Sequence, residues 1–190
     1  MGSLVFKKGT DKLTPNIVNT MSGIKFKEIE VKDIDGLDKK IGDYLKNKKA
    51  LIIVNVASEC GYTNANYKEL QEIYDKYGEK GLEILGFPCN QFMSQESKCE
   101  LDIKNFAKNK FKITFPMFSK IDVNGENTHP VYLYLKANTE EFKKNEKELK
   151  NIPWNFGKFL VNSEGKVIKF YKPDENPKEM IPEIEKVLLH

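Results

Sequence analysis

The run Ala50–Ala57 (ALIIVNVA) limits this chain more than any other stretch. It is apolar without alternation, which suits a strand covered on both faces rather than an amphipathic helix, and it is too short to cross a membrane. Such a strand belongs at the centre of a sheet with a layer on each side. Past Gly61, the residues Tyr67, Leu70, Ile73, Tyr74 and Tyr77 recur at helical spacing, and Gly78 with Gly81 closes that helix. A second apolar run, Leu82–Phe87, follows. Strand, helix and strand in this order predict a βαβ crossover and a parallel pair.

The remaining segments dress that unit. Alternation over Phe26–Val31 before Asp35-Gly36 predicts an early hairpin. Ser97-Lys98-Cys99-Glu100 has capping-box form, so a helix is expected over about 98 to 109, ended before Pro116. Pro130 opens another helix carrying Val131, Tyr134 and Leu135, and Glu140–Lys150 reads as a solvated charged connection. Lys158–Val161 and Val167–Tyr171 flank a turn at Asn162–Gly165 and read as a hairpin, and Met180, Ile181, Ile184, Val187 and Leu188 line a closing amphipathic helix. There is no internal repeat. The order predicts an α/β protein of thioredoxin-like architecture, a mixed central sheet with helices on both faces. Residues 1–22 are polar and irregular and read as an extension, with residues 23–190 as a single domain.

Composition removes several classes of function. The charge of +3 comes from 31 basic and 28 acidic residues, without the one-sided basicity of a nucleic-acid binder. No stretch is apolar enough for an integral membrane segment, and Met1–Lys8 holds too short an apolar stretch for a signal peptide. The C-terminal Val187-Leu188-Leu189-His190 is no retention signal, so the expected compartment is the cytosol. Three cysteines, Cys60, Cys89 and Cys99, are too few and too far apart for a disulfide framework or a paired zinc site and fit a reducing compartment. Only two histidines occur, neither in a Cys-His or metal-ligand pattern, and no Gly-rich phosphate loop is present. The expectation is therefore of no cofactor and no metal, with His129 serving at a helix start.

The chemistry centres on Cys60. It lies between the carboxyl end of the buried strand and the amino end of the next helix, where backbone N–H groups and the helix dipole stabilise an anion. A thiolate there is a nucleophile. A general disulfide oxidoreductase is disfavoured, because Thr63 stands where a CxxC pair needs its second cysteine.

Four segments, NVASECGYT (55–63), LGFPCNQF (85–92), FPMFSKIDVNGENTHP (115–130) and WNFGKFLV (154–161), occur in the order of the glutathione-peroxidase signatures, and the chain resembles that family from about Lys25 onward. The resemblance implies a thioredoxin-like fold and hydroperoxide reduction through a cysteine in place of selenocysteine. By matching positions, Cys60 is the peroxidatic residue, and Gln91, Trp154 and Asn155 complete a catalytic tetrad of neutral N–H donors. The Cys60 thiolate is expected to attack the peroxide and become a sulfenic acid.

The second thiol is less settled by resemblance. Thioredoxin-dependent relatives carry a resolving cysteine where this chain has Lys108. Cys89, within FPCNQF, and Cys99, near the start of the predicted helix, are the substitutes, and direct attack by glutathione is the third route. The stretch from Ala137 to Trp154 is too short for the family's tetramer-forming loop, which implies a monomer with an open catalytic face and favours thioredoxin or a similar dithiol protein over glutathione as reductant. A peroxide sensor that passes oxidation to a client protein shares the same motifs.

Overall fold

The computed structural model describes residues 24–145 and 148–189, so the expected 1–22 extension lies outside the described residues. The long apolar run forms strand β3 (Ala50–Val56), buried along its whole length. Its neighbours are β4 (Leu82–Pro88), parallel, and β5 (Lys158–Asn162), antiparallel; β6 (Val167–Tyr171) pairs with β5 in a hairpin, giving the order β4-β3-β5-β6. A separate two-stranded ribbon joins β1 (Glu30–Lys32) to β2 (Asp38–Lys40). Between the strands run α1 (Thr63–Tyr77), α2 (Glu100–Phe111) and α3 (Pro130–Ala137), and α4 (Ile181–Leu189) follows β6.

Alternation along β3 sorts the core into two layers. Ile52, Val54 and Val56 pack with Tyr67, Leu70, Ile73 and Tyr77 of α1, Ile103 and Ala107 of α2, and Ile184 of α4. Leu51 and Ile53 face the other way, onto Val131, Tyr132 and Leu135 of α3 and Val31 of β1. Helices therefore cover both faces, as the uninterrupted run requires. Each fully buried aliphatic side chain here contributes about 1.5–3 kcal/mol of burial free energy.

Local signals account for most boundaries. After α1 a short 3-10 turn, Gly78–Lys80, leads to Gly81 at φ 109°, a left-handed exit that favours glycine. Pro130 occupies the first turn of α3, and His129 caps it, its Nδ1 accepting the Val131 N–H at 3.3 Å. In the β5–β6 hairpin Asn162 Oδ1 accepts the N–H groups of Glu164 and Lys166.

Three expectations need revision. Phe26–Glu28 is a 3-10 turn, so the early hairpin begins at Glu30 and reverses at Gly36, φ 82°. The Ser97 capping box does not form: α2 begins at Glu100 with Cys99 as its N-cap, and no side chain caps it. The 140–150 connection is anchored in the core by Phe142, whose ring lies 4.8 Å from Phe170 and 5.6 Å from Phe159, and Lys150 N–H returns to Phe142 C=O at 2.7 Å.

Candidate active site

Cys60 lies in the turn from β3 to α1 and is 8% exposed. Thr63 closes that turn: its hydroxyl donates to Ala57 C=O at 2.7 Å and accepts the Cys60 N–H at 3.1 Å, while its own N–H donates to Cys60 C=O at 3.0 Å. The Tyr62 N–H donates to Cys60 Sγ at 3.5 Å. Tyr62 is the N-cap of the 15-residue α1, so the sulfur sits at the positive end of a long helix with a backbone donor on it.

The other three expected residues come from two loops. Trp154 is half-buried, packs against both core layers, and lies 5.7 Å from the Phe92 ring between centroids. Asn155 is fully buried and donates from Nδ2 to Gln95 Oε1 at 2.9 Å; Gln95 C=O in turn accepts the Glu59 N–H at 3.1 Å. Asn155 is thereby linked to the residue next to Cys60 through one side chain. Gln91 sits elsewhere in this hydrogen-bond pattern: its Oε1 accepts the Val123 and Asn124 N–H groups at 2.8 and 2.9 Å, and its Nε2 donates to Asn124 C=O at 2.8 Å. Those bonds fasten the 123–124 turn and none joins Gln91 to Cys60.

Two contributors had no sequence signal. Asn55, the one polar residue in β3, donates from Nδ2 to Trp154 C=O and accepts the Gly157 N–H on Oδ1, both at 3.0 Å, while its C=O takes the Phe156 N–H at 2.6 Å. It thus fixes the loop that carries Trp154 and Asn155, just ahead of β5, against the strand that leads to Cys60. Gly157 is needed for this closeness, since a Cβ there would stand 3.1 Å from the Phe170 ring and 3.2 Å from Asn55 Oδ1. The second contributor is the loop after β4, which bears Gln95. A lone polar residue in an apolar run and a loop amide carry no periodicity, so only three-dimensional contact reveals them.

The remaining thiols differ in state. Cys89 is fully buried, its Sγ lies 3.6 Å from Gln91 Oε1, and burial pushes its thiol up to about 11. Cys99 is exposed, with Sγ 3.3 Å from Asp102 Oδ2. Lys98 pairs with Glu59 at 3.4 Å, joining the residues that precede Cys99 and Cys60. Lys108 is on the outer face of α2. Beside Tyr62 and Trp154 opens a cleft of about 510 Å³, lined also by Pro153, Phe142 and Phe170, with Lys150 and Lys172 among its walls. Among the described residues no cluster of three or more His, Cys, Asp or Glu side chains can hold a metal, and no helix is long and apolar enough to cross a membrane.

Comparison with known proteins adds the lineage. The chain is 48% identical over 160 residues to the glutathione peroxidase homolog BsaA of Bacillus subtilis, spanning 84% of this chain and 96% of that one. It is 45% identical over 161 residues to phospholipid hydroperoxide glutathione peroxidase 1, chloroplastic, of Arabidopsis thaliana, spanning 85% of this chain and 65% of that one. The crystal structure of T. cruzi GPX1 superposes with a TM-score of 0.68 at 30% identity, covering 87% of this chain and 97% of the other. A thioredoxin-family thiol:disulfide interchange protein from Chlorobium tepidum superposes with a TM-score of 0.58 at 14% identity, covering 84% and 92%, a likeness of fold that makes the architecture thioredoxin-like. Residues 26–136 match the family described as glutathione peroxidase, and with these identities the chain belongs to the glutathione peroxidase family of peroxide-reducing enzymes.

Proposed function

We propose that Cys60 is the peroxidatic residue of a two-cysteine thiol peroxidase and that Cys99 resolves it. The Cys60 thiolate attacks one peroxide oxygen, the O–O bond breaks, and the departing oxygen takes a proton and leaves as water or an alcohol. The sulfur is left as a sulfenic acid, the Cys99 thiol condenses with it and expels water, and a thioredoxin-like dithiol protein reduces the resulting disulfide. The observation that carries this reading is the Tyr62 N–H on Cys60 Sγ at the head of α1. Asn155 and Trp154 are read as neutral donors to the reacting oxygens, held by Gln95 and Asn55.

Cys99 is favoured over Cys89 on access and chemistry. A buried thiol held in the neutral form resolves slowly, whereas Cys99 is exposed and its segment is already tied to Glu59 by Lys98. Release of the first turn of α2, which has no side-chain cap, would free it to approach Cys60. The apolar cleft beside Tyr62 and Trp154 supports organic as well as hydrogen peroxide as substrate, in keeping with the lipid hydroperoxide in the Arabidopsis relative's name. Three free thiols support a reducing compartment such as the cytosol.

The test is one equivalent of hydrogen peroxide followed by peptide mapping, on wild type, Cys89→Ser and Cys99→Ser, with NADPH consumption through thioredoxin reductase and thioredoxin as the turnover assay. A Cys60–Cys99 disulfide that thioredoxin reduces, and its loss in Cys99→Ser alone, are the expected results. An accumulating Cys60 sulfenic acid in wild type, reduced by glutathione, would overturn the two-cysteine cycle.

A further inference from the structure

The loop between β4 and α2 holds a carboxyl group that the peroxidase cycle does not itself require. Glu96 is 0% exposed, and both its carboxyl oxygens are closed off from solvent, as are Ser58 Oγ and Tyr67 OH, none with a well-formed hydrogen bond. Leaving such a group inside the protein is costly, so its presence asks for a role. Burial pushes it up to about 7, against the Ser58 hydroxyl and amide and the more distant Lys120 and Lys98, which favour the carboxylate. Tyr67 of α1 and Cys89 at the end of β4 are the other titratable groups that feel its charge.

Glu96 is placed to act on the Cys60 turn. Ser58 belongs to that turn, and Gln95, the preceding residue, holds it from the other side by accepting the Glu59 N–H and the Asn155 amide. The Glu96 N–H is tied back to Asn90 Oδ1 at 3.0 Å. Just upstream, Met93 and Ser94 are both left-handed, φ 52° and 54°, and Met93 is 78% exposed. Two consecutive non-glycine residues in that region are strained, so the loop keeps its shape only while its anchors hold. A charged carboxylate in this site would be a buried anion whose desolvation outweighs the help of Ser58, Lys120 and Lys98, and the cheapest relief is to hydrate it by moving the loop outward.

We propose that Glu96 is a positioning residue for Cys60: neutral, it seats the 90–96 loop against Ser58 and holds the Cys60 turn in its peroxide-reactive form, and on ionising it releases that loop. The proposal rests on Cys60 as the peroxidatic residue. Ionisation lets go of Gln95 as well, so the turn and Asn155 lose their common partner together.

The test is the second-order rate of Cys60 oxidation by hydrogen peroxide as a function of pH, measured on wild type and Glu96→Gln. The amide keeps the size and polarity of the side chain and cannot ionise. In wild type the rate should fall as pH rises through about 7, and Glu96→Gln should lack the falling limb, exceeding wild type about tenfold near pH 8. Superimposable profiles, or a wild-type rate with no such limb, overturn the proposal. Infrared titration of wild type labelled at glutamate carboxyls keeps the question answerable if the variant fails to fold: a protonated-carboxyl band must disappear over the same pH interval, and its absence at neutral pH refutes the idea. Cys60→Ser separates the two layers, since peroxide consumption by that variant would remove the premise, whereas an inert Cys60→Ser with unchanged pH profiles would remove only the role of Glu96.

Discussion

At the scale of single residues, the thiol was legible and its supports were not. A cysteine at the junction of an apolar strand and a helix carries its own electrostatic argument, and the fold places Cys60 there with a backbone donor on its sulfur. Cys60→Ser should therefore abolish peroxide reduction in the NADPH-coupled assay with little change in thermal midpoint, because the smaller hydroxyl fits the same turn. Asn55 went unread because one amide inside ALIIVNVA looks like an interruption of an apolar run. Its two side-chain bonds to the Trp154–Gly157 loop are one part-buried and one buried, and removing them leaves the Trp154 C=O and the Gly157 N–H unpaired. Each orphaned group costs about 1–3 kcal/mol, so Asn55→Ala should lower urea-unfolding stability by roughly 2–4 kcal/mol and reduce kcat/KM for hydrogen peroxide even at temperatures where it is folded. A variant with lost stability and unchanged kcat/KM would show that Asn55 holds the fold but not the site. Gln91 carries the converse lesson, since its family position implied a catalytic donor and its observed bonds fasten the 123–124 turn.

At the scale of elements, the strands and helices that pack were readable, and the ends were read less well. The β3–α1–β4 unit follows from residue periodicity because both faces of β3 and one face of α1 are buried against neighbours. The start of α2 was misplaced because Ser97 and Glu100 satisfy the spacing of a capping box, while the backbone turns at Cys99 and leaves the box unmade. The other end of α2 stops at Lys112, φ 57°, whose N–H returns to Ala107 and Lys108 C=O, a left-handed cap without glycine. A side chain there costs about 1 kcal/mol relative to glycine. Lys112→Gly should raise stability by about 0.5–1 kcal/mol in urea titration, and an unchanged or lowered midpoint would mean that Lys112 makes a compensating contact. The same substitution leaves the Cys99 end of the helix untouched, so the rate of Cys60–Cys99 disulfide formation should not change with it.

At the scale of the whole molecule, stability against pH is set by buried groups that titrate in opposite senses. Burial depresses His129 to about 4 from 6.5, so its contribution is complete above about 6.5 and is lost as pH falls through 4. Burial raises Glu96 to about 7 from 4.5, so its contribution is complete below about 4.5 and is lost as pH climbs through 7. The two windows overlap, and between about pH 5 and 6.5 the gain from one offsets the loss from the other. Lys136 and Lys158, both depressed to about 8 by burial, add stability only as pH rises from 8 toward 10.5, beyond that overlap. The offset can be broken on one side. His129→Asn retains a side-chain acceptor for the Val131 N–H at the start of α3 but cannot titrate, so the falling slope of Glu96 is exposed. Urea midpoints taken across pH should then show wild type nearly level from about 5 to 6.5 and His129→Asn losing on the order of 2 kcal/mol relative to it over that interval. Adding Glu96→Gln should restore the level profile, because it removes the opposing slope. Parallel curves for wild type and His129→Asn would mean that the imidazole reaches solvent in the folded state, and the balance between α3 and the Cys60 loop would then have no basis.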